Sequence, residues 1–506
     1  MSLVQSVDNV ALLPAYLAAG TAVLVLLADL LVGRAGATVA VACAGVVATG
    51  VGAVVVGAAG TRRTFCVGTD CSWVFDGRAA LVAGVFALIT LGVLGLSGAL
   101  LRSGPTPVGE YCFLLACSMT GGVVLGAAGD LITLIVALET LTLPLYVLVG
   151  LRRGSPASAE AAVTFFVVSV VATTVTLLGA ALLYAATGGL HLDRLGGLLA
   201  ETPDLPLIPA AVALVVLGLA FKVAAVPFHA WAPATYDGAP LPVAAYLSTA
   251  SKLGGVVALL AVVQRALPAE VTGPVLALLA VLTMTVGNLV ALRQRRTVRL
   301  LAWSSVAQAG YILAPLGVLA LTAGRADDVR AGAYAAAVAY AVFFVVLELA
   351  AFAALVALRP AGADGGTVAE LRGAARRRPW IGAAFALALV GLAGLPPGLA
   401  GLFAKVTVVR ALLDGGAGWL ALVVALNAVI GLAYYLRIAA TLYAGPAPVP
   451  DGESTGPVPD GESTGPALGV LPGRTAWPVT VALAGATVLA VVIGFAPQLV
   501  LDLAAS

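Results

Sequence analysis

Three lysines are the whole lysine content of this 506-residue chain, and each stands in an apolar run. Lys222 lies in Leu-Gly-Leu-Ala-Phe-Lys-Val-Ala-Ala-Val-Pro, and Lys252 lies in Leu-Ser-Thr-Ala-Ser-Lys-Leu-Gly-Gly-Val-Val. Lys405 lies in Leu-Ala-Gly-Leu-Phe-Ala-Lys-Val-Thr-Val-Val. The other 23 of the 26 basic residues are arginines, in or near the breaks between apolar runs. A guanidinium does not deprotonate in proteins, whereas a desolvated amine does so readily. Lysine is therefore kept where a group that releases and rebinds a proton is useful. Each charge inside a bilayer costs at least ~2.5–3.5 kcal/mol on insertion scales, so three are hard to assign to drift. Snorkelling of a side chain near a span end is the plainer alternative, and it suits Lys252 best.

Intramembrane acids extend the set. Glu139, in Leu-Ile-Val-Ala-Leu-Glu-Thr-Leu-Thr-Leu-Pro, is either a neutral hydrogen-bonded carboxyl or the partner of a lysine. A carboxylate beside Lys222 would hold the amine charged, and its withdrawal would favour proton release. Glu348, in Phe-Phe-Val-Val-Leu-Glu-Leu-Ala-Ala-Phe, suits a relay and a bond to a neighbouring helix equally. His229, in Pro-Phe-His-Ala-Trp-Ala-Pro, suits a proton relay near neutral pH or a structural bond to the backbone. Gln308 hydrogen-bonds water but does not titrate. Thr140, Ser248 and Ser251 would line water between these groups or serve ordinary helix packing.

The elements that must hold these residues are membrane spans. The chain is 61% hydrophobic and 10% charged, against roughly 25% charged in soluble domains. A net charge of +2 gives no electrostatic case for nucleic acid. A span needs roughly 20 mainly apolar residues, and about 14 runs meet that requirement. The fold class expected is all-α and polytopic. Pro227 interrupts the seventh span and Pro396-Pro397 the twelfth. Proline removes an internal hydrogen bond, which lipid tolerates only where protein or a water-filled cavity satisfies the freed groups. A simple kink explains either site alone. Two interruptions, each near a lysine, are the sequence sign of a transport path.

Fifteen of the 23 arginines follow odd-numbered spans, which places those loops in the cytoplasm and both termini outside. Five cysteines, Cys43, Cys66, Cys71, Cys112 and Cys117, are too scattered for an iron–sulfur or zinc site. Cys66 and Cys71 pair or remain two thiols in a short loop. There is no dinucleotide fingerprint on a strand–helix turn. The nonapeptide Pro-Val-Pro-Asp-Gly-Glu-Ser-Thr-Gly occurs at 448–456 and again at 457–465. Its composition reads as a disordered loop over 445–473, ahead of a C-terminal span over 474–506.

Four stretches together resemble the antiporter-like membrane subunits of respiratory complex I, the proton-translocating NADH-quinone oxidoreductase. They are Ala-Gly-Asp-Leu-Ile-Thr-Leu-Ile-Val-Ala-Leu-Glu around Glu139 and Phe-Lys-Val-Ala-Ala-Val-Pro-Phe-His-Ala-Trp-Ala-Pro from Phe221. The others are Asn-Leu-Val-Ala-Leu-Arg-Gln from Asn288 and Gly-Leu-Pro-Pro-Gly-Leu-Ala-Gly-Leu-Phe-Ala-Lys from Gly394. The resemblance implies fourteen spans with two inverted five-helix repeats, over 106–265 and 266–444, behind a three-helix segment over 1–105. It implies a Glu139–Lys222 coupling pair, Lys252 as central relay and Lys405 as the exit-side residue. No redox centre is expected in this chain. NADH, FMN, iron–sulfur clusters and quinone would belong to partner subunits in a bacterial plasma membrane. Where the family usually reads Lys-Arg-Leu-Leu-Ala-Tyr-Ser-Ser-Ile-Ala-His, this chain has Val298-Arg-Leu-Leu-Ala-Trp-Ser-Ser-Val-Ala-Gln308. Gln308 thus replaces a titratable histidine, and Glu348 stands where asparagine is common. The second half is rewired or weakly coupled. A cation/proton antiporter subunit of Mrp type, or a structural paralogue that no longer conducts, are the alternatives.

Overall fold

The computed structural model describes residues 7–104, 106–152, 154–201, 206–445 and 475–505. The tandem nonapeptide lies outside the described residues. Helix α1 (Leu13–Val32) and α2 (Ala35–Ala58) lead into a hairpin of β1 (Arg62–Val67) and β2 (Asp70–Phe75). The expected all-helical chain therefore carries one small antiparallel sheet, in which Cys66 and Cys71 face each other and form a disulfide. The sequence left that pair open; its surroundings of Arg, Thr, Asp and Ser gave no apolar periodicity to read.

Helices α3 (Gly77–Ser97), α4 (Val108–Gly126), α5 (Leu131–Val149) and α6 (Pro156–Thr187) follow. Their starts are set by short polar residues whose side chains accept from orphan amides. Asp76 caps α3 through Ala79 N, Asp130 caps α5 through Thr133 N, and Ser155 caps α6 through Ser158 N. After the short α7 (Leu192–Glu201), α8 (Leu207–Lys222) stops in mid-run and α9 (Trp231–Gly238) follows the interruption. Next come α10 (Leu241–Tyr246), a π turn at Leu247–Ser251, and α11 (Lys252–Arg265), which together form one long apolar rod. Helices α12 (Ala269–Arg293), α13 (Thr297–Leu313) and α14 (Asp327–Leu358) complete the interior; α13 and α14 are buried along almost their whole length. The remainder is α15 (Ala374–Arg377), the interrupted pair α16 (Pro379–Ala393) and α17 (Leu399–Asp414), α18 (Gly418–Tyr443), α19 (Trp477–Phe495) and α20 (Gln498–Ala505).

Among the described residues, twelve helices are long and apolar enough to cross a membrane, and α8 and α16 are shorter apolar helices. The chain is a multi-pass membrane protein. Its loops sort to two ends. At one end Trp73 bridges Ala128, Asp130 bridges His191, and Arg265 pairs with Asp193. Arg62 there reaches Asp8, and the Trp73 indole donates to the Ala11 carbonyl, so the N-terminal segment shares that end. Leu503 and Ala504 line a cavity with Arg63 and Arg265, bringing the C-terminal helix there too. At the other end Arg296 pairs with Asp237 and Asp364, and Arg437 donates to the Leu292 and Gln294 carbonyls. The first described residues and the C-terminal helix α20 thus share one end of the molecule.

Candidate functional site

Both proline interruptions are real, and both leave backbone groups that other parts of the protein satisfy. Val226-Pro227 and Pro396-Pro397 are cis. After α8, the Phe221 carbonyl accepts from the Trp231 indole and from Ala224 N, while Val226 N donates to Thr283 Oγ1. These bonds meet the demand that interrupted helices make inside a bilayer. After α16, Gly394 turns at φ 81°, a conformation that L side chains rarely adopt. It also lies where a Cβ would approach Lys405 Cδ to 2.6 Å.

Lys222 is the last residue of α8 and is 5% exposed. Its amine donates to Glu139 Oε1 at 2.7 Å, Ser169 Oγ at 3.0 Å and Thr142 Oγ1 at 3.3 Å. An ammonium has three N–H donors, so this one is fully committed. Thr173 Oγ1 donates to the same Glu139 oxygen at 2.6 Å. Glu139 and Thr142 come from α5, and Ser169 and Thr173, one turn apart, come from α6. The acid–base pair read from the sequence is thus in contact. Of the two roles open to Thr140 and Ser248, they take that of helix packing, bonding back to the Val136 and Ala245 carbonyls of their own helix turns. The signal that would have found the true frame is spacing, since Thr142 is three residues after Glu139 and on the same helical face.

Lys252 follows the π turn, a distortion frequent at functional sites, and is 2% exposed. Its amine donates to the Ser305 carbonyl of α13 at 2.5 Å and lies 5.9 Å from the Phe344 ring centre. The amine is thus bonded inside the protein, to a neighbouring helix. Lys405, half-buried in α17, donates to the Ala393 and Leu392 carbonyls at 2.5 and 3.3 Å. Those carbonyls close α16, where an ammonium satisfies orphan acceptors and the negative end of the helix dipole. The Tyr311 ring centre is 5.2 Å away.

Gln308 is locked between helices. Tyr340 donates to its Oε1 at 2.6 Å, and its amide donates to Tyr435 Oη at 2.9 Å and the Leu392 carbonyl at 3.1 Å. Tyr435 is also bonded to Ser304 Oγ at 2.6 Å. Beside this cluster, Asn288 bonds Tyr311, Tyr434 and Asn427. None of these tyrosines was read from the sequence, because a lone tyrosine in an apolar run has no periodicity of its own. Glu348 is fully buried on α14, and its two carboxyl oxygens have no protein hydrogen-bond partner. The bond to a neighbouring helix that the sequence allowed is absent among the described residues. His229 sits in the first interruption with its ring centre 4.9 Å from that of Trp303.

Comparison with known proteins agrees with this layout. Residues 128–431 match the family model described as NADH:quinone oxidoreductase/Mrp antiporter, TM. The chain is 78% identical to NADH-quinone oxidoreductase subunit N of Salinispora tropica, over all of both chains. It is 44% identical to a subunit N 2 of Streptomyces griseus over 90% of this chain and 86% of that one. A chain of respiratory complex I from Thermus thermophilus superposes with a TM-score of 0.77 at 30% identity, covering 97% of this chain and all of that one. A chain of the Mrp complex from Dietzia shares the fold, with a TM-score of 0.82 at 24% identity over 99% and 97% of the two chains. Interrupted helices carrying buried lysines, a family model over more than half the length and full-length identity to subunit N leave one assignment: the chain belongs to the NADH:quinone oxidoreductase/Mrp antiporter membrane-subunit family.

Proposed function

We propose that this chain is a proton-translocating membrane subunit of an NADH:quinone oxidoreductase, working with neighbouring membrane subunits and lipid. NADH oxidation and quinone reduction, with their FMN and iron–sulfur clusters, take place in partner subunits. The 78% identity to a subunit N over the full length favours this reading over an antiporter subunit, which shares the family model and the fold. The observation that carries the mechanism is the Lys222–Glu139 contact of 2.7 Å at the first interruption.

In one state Glu139 holds the Lys222 ammonium, with Ser169 and Thr142 accepting its other protons. A shift of α5 or of the α8 end separates the pair and leaves an uncompensated buried charge, which is strongly unfavourable. The proton then moves to Lys252 as the central group and on to Lys405, and Lys222 takes up a new proton from the aqueous phase as the pair recloses. The two interrupted pairs, α8–α9 and α16–α17, each complete a crossing in this reading, giving fourteen spans in two inverted repeats. The arginine asymmetry puts the hairpin end outside the plasma membrane.

Purification of a tagged chain from its native membrane tests the assignment. Recovery with peripheral redox subunits and NADH:quinone activity is expected. Recovery with antiporter subunits alone would overturn it. On the same cells, an impermeant thiol reagent should reach Cys66 and Cys71 from outside after mild reduction; labelling only in inverted vesicles would reverse the orientation.

A further inference from the structure

Glu348 is a buried acid that the relay just described does not use. Burying a carboxyl without a hydrogen-bond partner is costly, and structural buried acids are bonded. Both oxygens of this one are without a protein partner. Its neighbour Phe344, four residues earlier on the same face of α14, lies against the Lys252 amine. Lys252 differs from Lys222 in the way it is held. Its one hydrogen bond among the described residues goes to a neutral carbonyl, whereas Lys222 makes three, one of them to a carboxylate.

Gln308, three residues after the Ser305 that holds Lys252 and bonded to the same Leu392 carbonyl as Lys405, cannot carry a proton. Both of its amide N–H donors are spent, on Tyr435 and the Leu392 carbonyl, and its oxygen is taken by Tyr340. Lys405 shares that Leu392 carbonyl. Gln308 thus fixes the Tyr435 hydroxyl in place and connects no titratable group itself.

We propose that Glu348 is the proton carrier between Lys252 and the second half of the path, with Gln308 as a fixed frame for Tyr435. The proposal rests on the translocation reading above. In the first step the Lys252 ammonium gives a proton to the Glu348 carboxylate, leaving a neutral amine and a carboxylic acid. The charge of the buried pair is zero before and after, so the transfer leaves no unpaired charge in the interior. In the second step the acid gives up its proton and the neutral Lys405 amine takes it up. Glu348 returns to carboxylate and Lys405 becomes ammonium. No oxidant or reductant takes part.

The test uses the whole complex with Glu348→Gln, Glu348→Asp or Lys222→Ala in this subunit, reconstituted in vesicles. Proton uptake and quinone reduction in the presence of uncoupler are measured, with redox-induced infrared difference spectra. Glu348→Gln should slow pumping by about tenfold or more while uncoupled electron transfer continues, and should abolish a carboxylic C=O band present in the wild type. Glu348→Asp, an acid one methylene back, should pump within about fivefold of wild type with that band shifted. Lys222→Ala that stops pumping beside Glu348→Gln that pumps normally would overturn the Glu348 role alone. Normal pumping in both would overturn the translocation reading as well. Should Glu348→Gln not assemble, Glu348→Asp decides, and a band unmoved from wild type overturns the proposal.

Discussion

At the residue scale, the Lys222–Glu139 pair behaves as one unit. Removing either member leaves a buried charge alone, which costs roughly 3–5 kcal/mol, whereas removing both avoids that penalty. We expect Glu139→Gln and Lys222→Ala each to lower the melting temperature of the purified complex. The double variant should be more stable than the sum of the single losses allows, with a coupling of about 1–3 kcal/mol. Strict additivity in the double-mutant cycle would contradict direct pairing. The three lysines and Glu139 were legible in sequence because ionisable groups are rare in apolar runs. Thr142, Ser169 and Thr173 were not, because hydroxyls in spans mostly bond their own helix, as Thr140 does here.

At the element scale, the breaks work because other helices pack closely on them. Gly255 of α11 sits where a Cβ would meet the Lys222 carbonyl carbon at 2.6 Å and its oxygen at 2.8 Å. Those are backbone atoms, so a side chain there must push α11 away from the end of α8. Gly255→Val should destabilise the subunit by about 1–3 kcal/mol and disturb Lys222, read as lower yield of assembled complex. Gly332→Ala, where a Cβ meets nothing within 4 Å, is the control and should assemble normally. Equal yields would show that this packing does not position the lysine. Pro227 and Pro396-Pro397 made the interruptions readable from sequence, whereas the π turn before Lys252 has no proline or paired glycines to announce it.

At the scale of the whole molecule, apolar runs of span length located the helices, since each run must satisfy its own backbone in lipid. The hairpin was missed for the complementary reason: outside the bilayer, six-residue strands of mixed polarity carry no such constraint. The three lysines are each held differently: Lys222 by a carboxylate, Lys252 by a mid-helix carbonyl, Lys405 by the end of a broken helix. In the proposed mechanism, charge on Lys222 is coupled to electron transfer in partner subunits. Its most direct test is the number of protons moved per electron by the reconstituted complex carrying Lys222→Ala. This ratio should collapse while the complex assembles and quinone reduction persists under uncoupler. An unchanged ratio in a fully assembled complex would contradict it.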